Sequence, residues 1–111
     1  MNMTDAQIMI LEGLDEDLEY EIGLRLATTY PDLFSDEWSD TQKAIIEQGL
    51  RAIERTVDHF TDTELDKIDH TSGRVRYAAI WQMSYRRFRF SWTCLDAAVP
   101  MLIRTARAIG R

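Results

Sequence analysis

The sequence has one cysteine, two prolines and five glycines, and it lacks a long uncharged run. The single cysteine, Cys94, excludes a disulfide within the chain, and no basic residue precedes Arg25 to begin a secretory signal. Its longest uncharged stretch, residues 77–85, has nine residues, whereas a membrane-spanning helix needs about 20. We therefore predict a cytoplasmic protein that crosses no membrane.

The scarcity of glycine and proline also argues against a turn-rich β-sandwich, and the glycines never cluster into a phosphate-binding loop. Hydrophobic residues make up 45% of the chain and charged residues 29%, which is the balance of a globular protein. A length of 111 residues fits one domain, so residues 1–111 are predicted to form a single helical domain.

Apolar residues recur every three or four positions along most of the chain, which predicts helices. Three serine or threonine residues also stand three positions before a glutamine or glutamate, the spacing of a capping box that begins a helix. These pairs are Thr4–Gln7, Ser39–Gln42 and Thr61–Glu64. Gly13 weakens the first helix enough to allow a break, and Pro100 fits the start of a last helix. We predict an all-α fold, a compact bundle of four or five helices.

Residues 74–97 fit two periodicities. Residues 87–93 alternate as in a strand, but the whole segment aligns Tyr77, Trp81 and Tyr85 on one helical stripe. A lone strand would have no partner, so we predict a helix. The predicted core comprises the ridge residues Leu18, Ile22, Ile46, Leu50, Ile53, Val57, Trp81 and Phe88.

Charge is segregated along the chain, although the net charge is only −6. Residues 1–70 hold 18 acidic and five basic residues, giving −13, whereas residues 71–111 hold one acidic residue and eight arginines, giving +7. Such blocks predict either pairing within the chain, with Arg76 and Arg87 near carboxylates of the first two long helices, or contact between copies. We expect a homodimer.

No constellation of residues indicates catalysis, a metal or another cofactor, so we predict that the protein is not an enzyme. Asp66 and His70 have the i, i+4 spacing of metal ligands, but this spacing also fits a solvated helix end. Cys94 lies in a strongly apolar segment, where cysteine usually behaves as a small buried hydrophobe.

The sequence favours a small regulator or inhibitor that acts by binding another protein. Trp38 lies outside the ridges beside acidic residues, and tryptophan and arginine dominate binding hot spots. The predicted binding residues are Trp38, Asp36, Glu37, Arg86 and Arg89. Two alternatives stay open: a nucleic-acid surface made by the arginines and aromatic residues after residue 73, and an acidic mimic of DNA.

Overall fold

A computed structural model describes residues 2–110 of the chain. Three α-helices follow one another: α1 (Asp5–Thr29), α2 (Asp40–Ile68) and α3 (Gly73–Ile109), with a short 3₁₀ helix (Pro31–Phe34) between the first two. The structure is 87% helical and has no strand in its described part, which confirms the all-α prediction. The prediction of four or five helices is wrong.

Two of the three capping boxes are confirmed, and the third explains part of the wrong helix count. The Thr4 and Ser39 side chains each accept a hydrogen bond from the backbone three residues on, and they begin α1 and α2. Thr61 begins no helix, because its hydroxyl donates to the Val57 carbonyl at 2.9 Å within an uninterrupted α2. Likewise α1 runs through Gly13 without a break.

Pro100 lies inside α3 and not at the start of a separate helix. Proline lacks an N–H, so the carbonyl four residues before it, that of Asp96, loses its helical donor. The Tyr30 hydroxyl lies 3.1 Å from this carbonyl oxygen. The same hydroxyl also lies close to the Asp96 carboxylate, so Tyr30 contacts α3 beside the proline, and α3 continues past it.

The central element is α3, and the other two helices pack on different sides of it. Gly73, at φ 56°, makes the turn that sends α3 back antiparallel to α2. The Arg25 guanidinium lies 4.8 Å from the centre of the Phe88 ring and joins α1 to α3 by a cation–π contact. In residues 2–110, no Cα atom of α1 comes within 8 Å of a Cα atom of α2.

This arrangement makes the molecule elongated. The radius of gyration is 17.1 Å and the longest extent is 56 Å, whereas a compact domain of this length has a radius of about 13 Å. At about 1.5 Å per residue, α3 alone spans roughly the full length of the molecule.

The main core lies at the end of the molecule that holds the 3₁₀ helix. It consists of Leu33, Ile46, Leu95, Val99, Ile103 and Ala106. Gln42 is buried beside it, and its side-chain amide donates to the Ala106 carbonyl at 3.0 Å. Of the eight predicted core residues only Ile46 is buried, and the other seven are half-buried. The prediction that all eight are mostly buried is confirmed, although only Ile46 belongs to the main core.

Candidate protein-binding groove

A groove of about 320 Å³ lies between α1 and α2, with α3 as its floor. Its walls carry the apolar ridges of the two helices: Leu18 and Ile22 from α1, and Leu50, Ile53 and Val57 from α2. All five side chains are half-buried. A closed bundle would bury them by bringing α1 against α2, so their exposure follows directly from the divergence of these helices.

The floor of the groove contains a polar group without a partner. Ser84 is only 1% exposed, and its hydroxyl has no hydrogen-bond partner among the described residues. Leaving such a group unpaired costs about 1–3 kcal/mol. Ser91 and the apolar side chains of Phe88 and Leu95 complete the floor. The groove therefore combines apolar walls with one unpaired hydroxyl buried in its floor.

The rim of the groove is acidic. Four carboxylates border it, those of Asp15, Glu19, Glu54 and Asp58, against the single guanidinium of Arg87. Arg87 Nη2 lies 2.7 Å from Asp15 Oδ1, and both side chains are partly buried. Four negative charges and one positive charge leave a net charge of −3, so the rim attracts a basic ligand.

The sequence carried a signal of this groove that the prediction missed. Ser84 and Ser91 are seven positions apart, so they share one face of a helix. Arg87 lies between them, and all three interrupt the most apolar segment of the chain. Polar residues repeated on one face of a buried helix indicate that this face meets an opening or a polar partner.

Trp38, the predicted exposed anchor, is half-buried and packs against the main core. Its indole Nε1 donates to the Asp32 carbonyl at 2.9 Å, and the Arg107 guanidinium lies 5.8 Å from the ring centre. Arg107 also forms an ion pair with Asp32. Trp38 therefore closes one end of the molecule, while the neighbouring Asp36 and Glu37 are exposed there.

The structure does not bring the five predicted binding residues together. Arg86 forms an ion pair with Glu64 at 2.9 Å, close to the end of α2 opposite Trp38. Asp40 and Glu64 are 24 positions apart in α2, which corresponds to roughly 36 Å of helix. Arg89 is exposed on α3 and forms no ion pair with the described residues. These residues belong to at least two separate surfaces.

Four of the eight arginines in residues 71–111 form ion pairs within the chain. Arg87 contacts a carboxylate of α1 as predicted, and Arg76 lies 3.7 Å from the carboxylate of Asp69, which directly follows α2. Arg86 and Arg107 are paired as described above. The remaining arginines of the described part, Arg74, Arg89 and Arg104, are exposed and unpaired there, and Arg111 lies outside the described residues.

Two titratable groups have shifted pKa values, and neither lies in the groove. A hydrogen bond from Lys67, helped by Arg86 and opposed by partial burial, lowers the pKa of Glu64 below 4.5. The hydrogen bond to the Asp96 carboxylate raises the pKa of Tyr30 above 10.0. Within residues 2–110, no three His, Cys, Asp or Glu side chains cluster as metal ligands, and no helix is long and apolar enough to cross a membrane.

Comparison of the chain with models of protein families, with curated proteins and with solved structures finds no match. The groove is therefore interpreted from its own chemistry.

Proposed function

We propose that the protein is a non-catalytic regulator or inhibitor that binds an amphipathic helix of a partner protein in the groove between α1 and α2. The observation that carries this proposal is that the two most regular apolar ridges in the chain face each other across a groove and stay partly exposed there. Contiguous exposed apolar surface is characteristic of binding sites in soluble proteins. A helix laid between α1 and α2 would cover both ridges at once.

The chemistry of the groove defines the partner. Apolar side chains at positions i, i+3, i+4 and i+7 of a helix form a face that fits between two apolar walls. Lysine or arginine residues beside that face would meet the carboxylates of Glu19, Glu54 and Asp58 at the rim.

Fluorescence anisotropy with a labelled synthetic helix tests this proposal. The probe carries leucine at the four positions above and lysine on both flanks, and the matched control carries glutamate in place of lysine. We expect the lysine peptide to bind more tightly than the glutamate peptide. Raising the salt concentration should reduce this preference, because it screens the exposed rim charges.

Two variants of α2 locate the binding site. Val57→Asn places an amide in the wall of the groove, whereas Leu65→Asn makes a similar change on the same helix at an exposed position outside the groove. We expect Val57→Asn to lower the affinity for the lysine peptide roughly tenfold or more, which is about 1.4 kcal/mol. Leu65→Asn should leave the affinity unchanged. Equal affinities for both variants would contradict the proposal.

The two alternatives have less support from the contacts. Arg86 and Arg87 contact carboxylates, so fewer guanidinium groups are free for phosphates than the sequence suggests. The carboxylates Asp15 and Asp32 likewise contact arginines and are partly neutralised as phosphate mimics. Binding of a single-stranded oligonucleotide that falls steeply with salt would favour the first alternative. Competition with DNA for a DNA-binding protein would favour the second.

A further inference from the structure

Three aromatic side chains follow one another along the surface of α3. Tyr77, Trp81 and Tyr85 are four positions apart, and their successive ring centroids lie 6.0 and 6.2 Å from one another. We call them the aromatic ladder. The shallow cavities beside these rings are lined by residues of α3 only. The open side of the ladder is therefore apolar surface that α1 and α2 do not line; Tyr85 is 42% exposed there, and Tyr77 and Trp81 are partly exposed.

A second uncovered apolar face lies on α1. Ile10, Gly13, Asp17, Tyr20 and Leu24 follow one another in steps of three and four, so they form one stripe, which we call the outer face of α1. Ile10 is 50% exposed, Tyr20 70% and Leu24 45%. The opposite stripe of α1 carries the ridge that faces α3 and the groove. A helix that is apolar on two sides has room for two partners.

The two faces are complementary in charge. Within Asp5–Thr29, α1 has seven acidic residues and one basic residue, so two copies of α1 repel each other. The ladder is flanked on its own side of α3 by Arg74 and Arg89, which are exposed and form no ion pair with the described residues. The outer face of α1 is thus matched to the ladder in both apolarity and charge.

We infer that two copies of the chain form a dimer in which the outer face of α1 in each copy packs on the aromatic ladder of the other. The Asp15–Arg87 ion pair holds the middle of α1 beside the segment of α3 that carries the ladder. A two-fold axis then allows both contacts to form together and closes the assembly. None of the ladder or outer-face residues lines the groove, so the dimer and the proposed function are independent.

Sedimentation equilibrium on charge-swapped variants tests this dimer. One variant carries Arg74→Glu with Arg89→Glu, and the other carries Glu16→Lys with Asp17→Lys. We expect the wild-type chain to be dimeric at tens of micromolar and each variant alone to be monomeric. An equimolar mixture of the two variants should dimerise again, because each contact then joins opposite charges. No simple loss of folding produces this rescue.

Two further substitutions measure the apolar contribution. Tyr20→Ser removes an exposed ring from the outer face of α1, and Val75→Ser is a matched control at an exposed position of α3 outside the ladder. Tyr20→Ser should raise the dimer dissociation constant roughly tenfold or more, and Val75→Ser should leave it unchanged. Circular dichroism should show the same helix content in every variant.

Three results would each overturn the inference. The first is a wild-type chain that is monomeric at tens of micromolar at both low and high salt. The second is a mixture of the charge-swapped variants that stays monomeric. The third is a wild-type dimer that Tyr20→Ser leaves intact. A monomer whose binding of a single-stranded oligonucleotide depends on Tyr85 would assign the ladder to nucleic acid.

Discussion

The Tyr30 hydroxyl lies within hydrogen-bonding distance of both the main-chain carbonyl and the carboxylate of Asp96. This carbonyl is the acceptor that Pro100 leaves without a helical donor. The side chain that follows α1 thus contacts α3 at the residue whose carbonyl has lost its helical hydrogen bond to the proline. The two residues are 66 positions apart in sequence, and the contact lies within a helix of 37 residues.

Tyr30→Phe should therefore destabilise the protein by about 1–2 kcal/mol, since it removes the hydrogen bond to the Asp96 carboxylate and the contact with the Asp96 carbonyl. The loss should be smaller in a Pro100→Ala background, because alanine restores the helical N–H. Urea unfolding of the wild type, both single variants and the double variant gives the coupling between the two sites. If the changes in unfolding free energy of the two single variants simply add in the double variant, the tyrosine does not compensate for the proline.

Gly49 lies on α2 where the Leu102 side chain of α3 packs directly against its backbone. A Cβ atom at this position would overlap the Leu102 side chain, whereas a Cβ atom at Gly23 would meet nothing within 4 Å. Gly49→Ala should destabilise the protein by about 1–2 kcal/mol, because it overpacks this contact. Gly23→Ala should stabilise it by about 0.5–1 kcal/mol through helix propensity. Thermal unfolding of both variants measures these opposite changes in stability. If both variants gained or both lost stability, the close packing of Leu102 on Gly49 would be contradicted.

Trp38 is predicted to act on stability through its packing at the end of the core. Trp38→Ala should cost about 3 kcal/mol, since it removes a large ring that contacts the core and donates to the Asp32 carbonyl. Trp38→Phe should cost less, because it keeps most of the apolar surface. If denaturant unfolding shows a loss below about 0.5 kcal/mol for Trp38→Ala, the range of ordinary surface changes, the side chain is a surface anchor and not part of the core.

Lowering the pH should reduce the free energy of unfolding, in part because Glu64 becomes protonated. Its pKa is lowered chiefly by the hydrogen bond from Lys67 and also by Arg86, so folding favours the carboxylate. The stabilisation is present above the unfolded-state pKa near 4.5 and is lost as the pH falls through the lower folded-state value. Glu64→Gln should therefore lose less stability than the wild type between pH 6 and pH 3, as urea unfolding across that range (about three units) would show. If the unfolding free energies of the wild type and Glu64→Gln fell equally over this pH range, Glu64 would make no such contribution.

Local sequence signals predicted the helix starts at Thr4 and Ser39 and the apolar ridges, because each depends on residues within one or two turns. The helix count could not be predicted in the same way. Gly13 and Pro100 weaken a helix locally, but packing on α3 and the Tyr30 hydroxyl offset that weakness from distant parts of the chain.

The groove was beyond prediction for a related reason. The ridge through Leu50, Ile53 and Val57 shows which side of α2 is apolar, but not what covers that side. Whether α1 meets α2 depends on how each helix crosses α3, and no periodicity within one helix encodes that angle. The ion pairs of the arginines were predicted only in part. Charge segregation indicated that pairing would occur, but it did not indicate which guanidinium groups would contact carboxylates.

The proposed binding of a partner helix between the apolar ridges of α1 and α2 can be observed residue by residue. The experiment is amide chemical-shift mapping during titration with the lysine-flanked peptide. We predict that the shifted resonances cluster at Leu18, Ile22, Ile53, Val57 and Ser84, on all three helices. Shifts confined to the aromatic ladder, or no shifts at saturating peptide, would contradict the proposed binding.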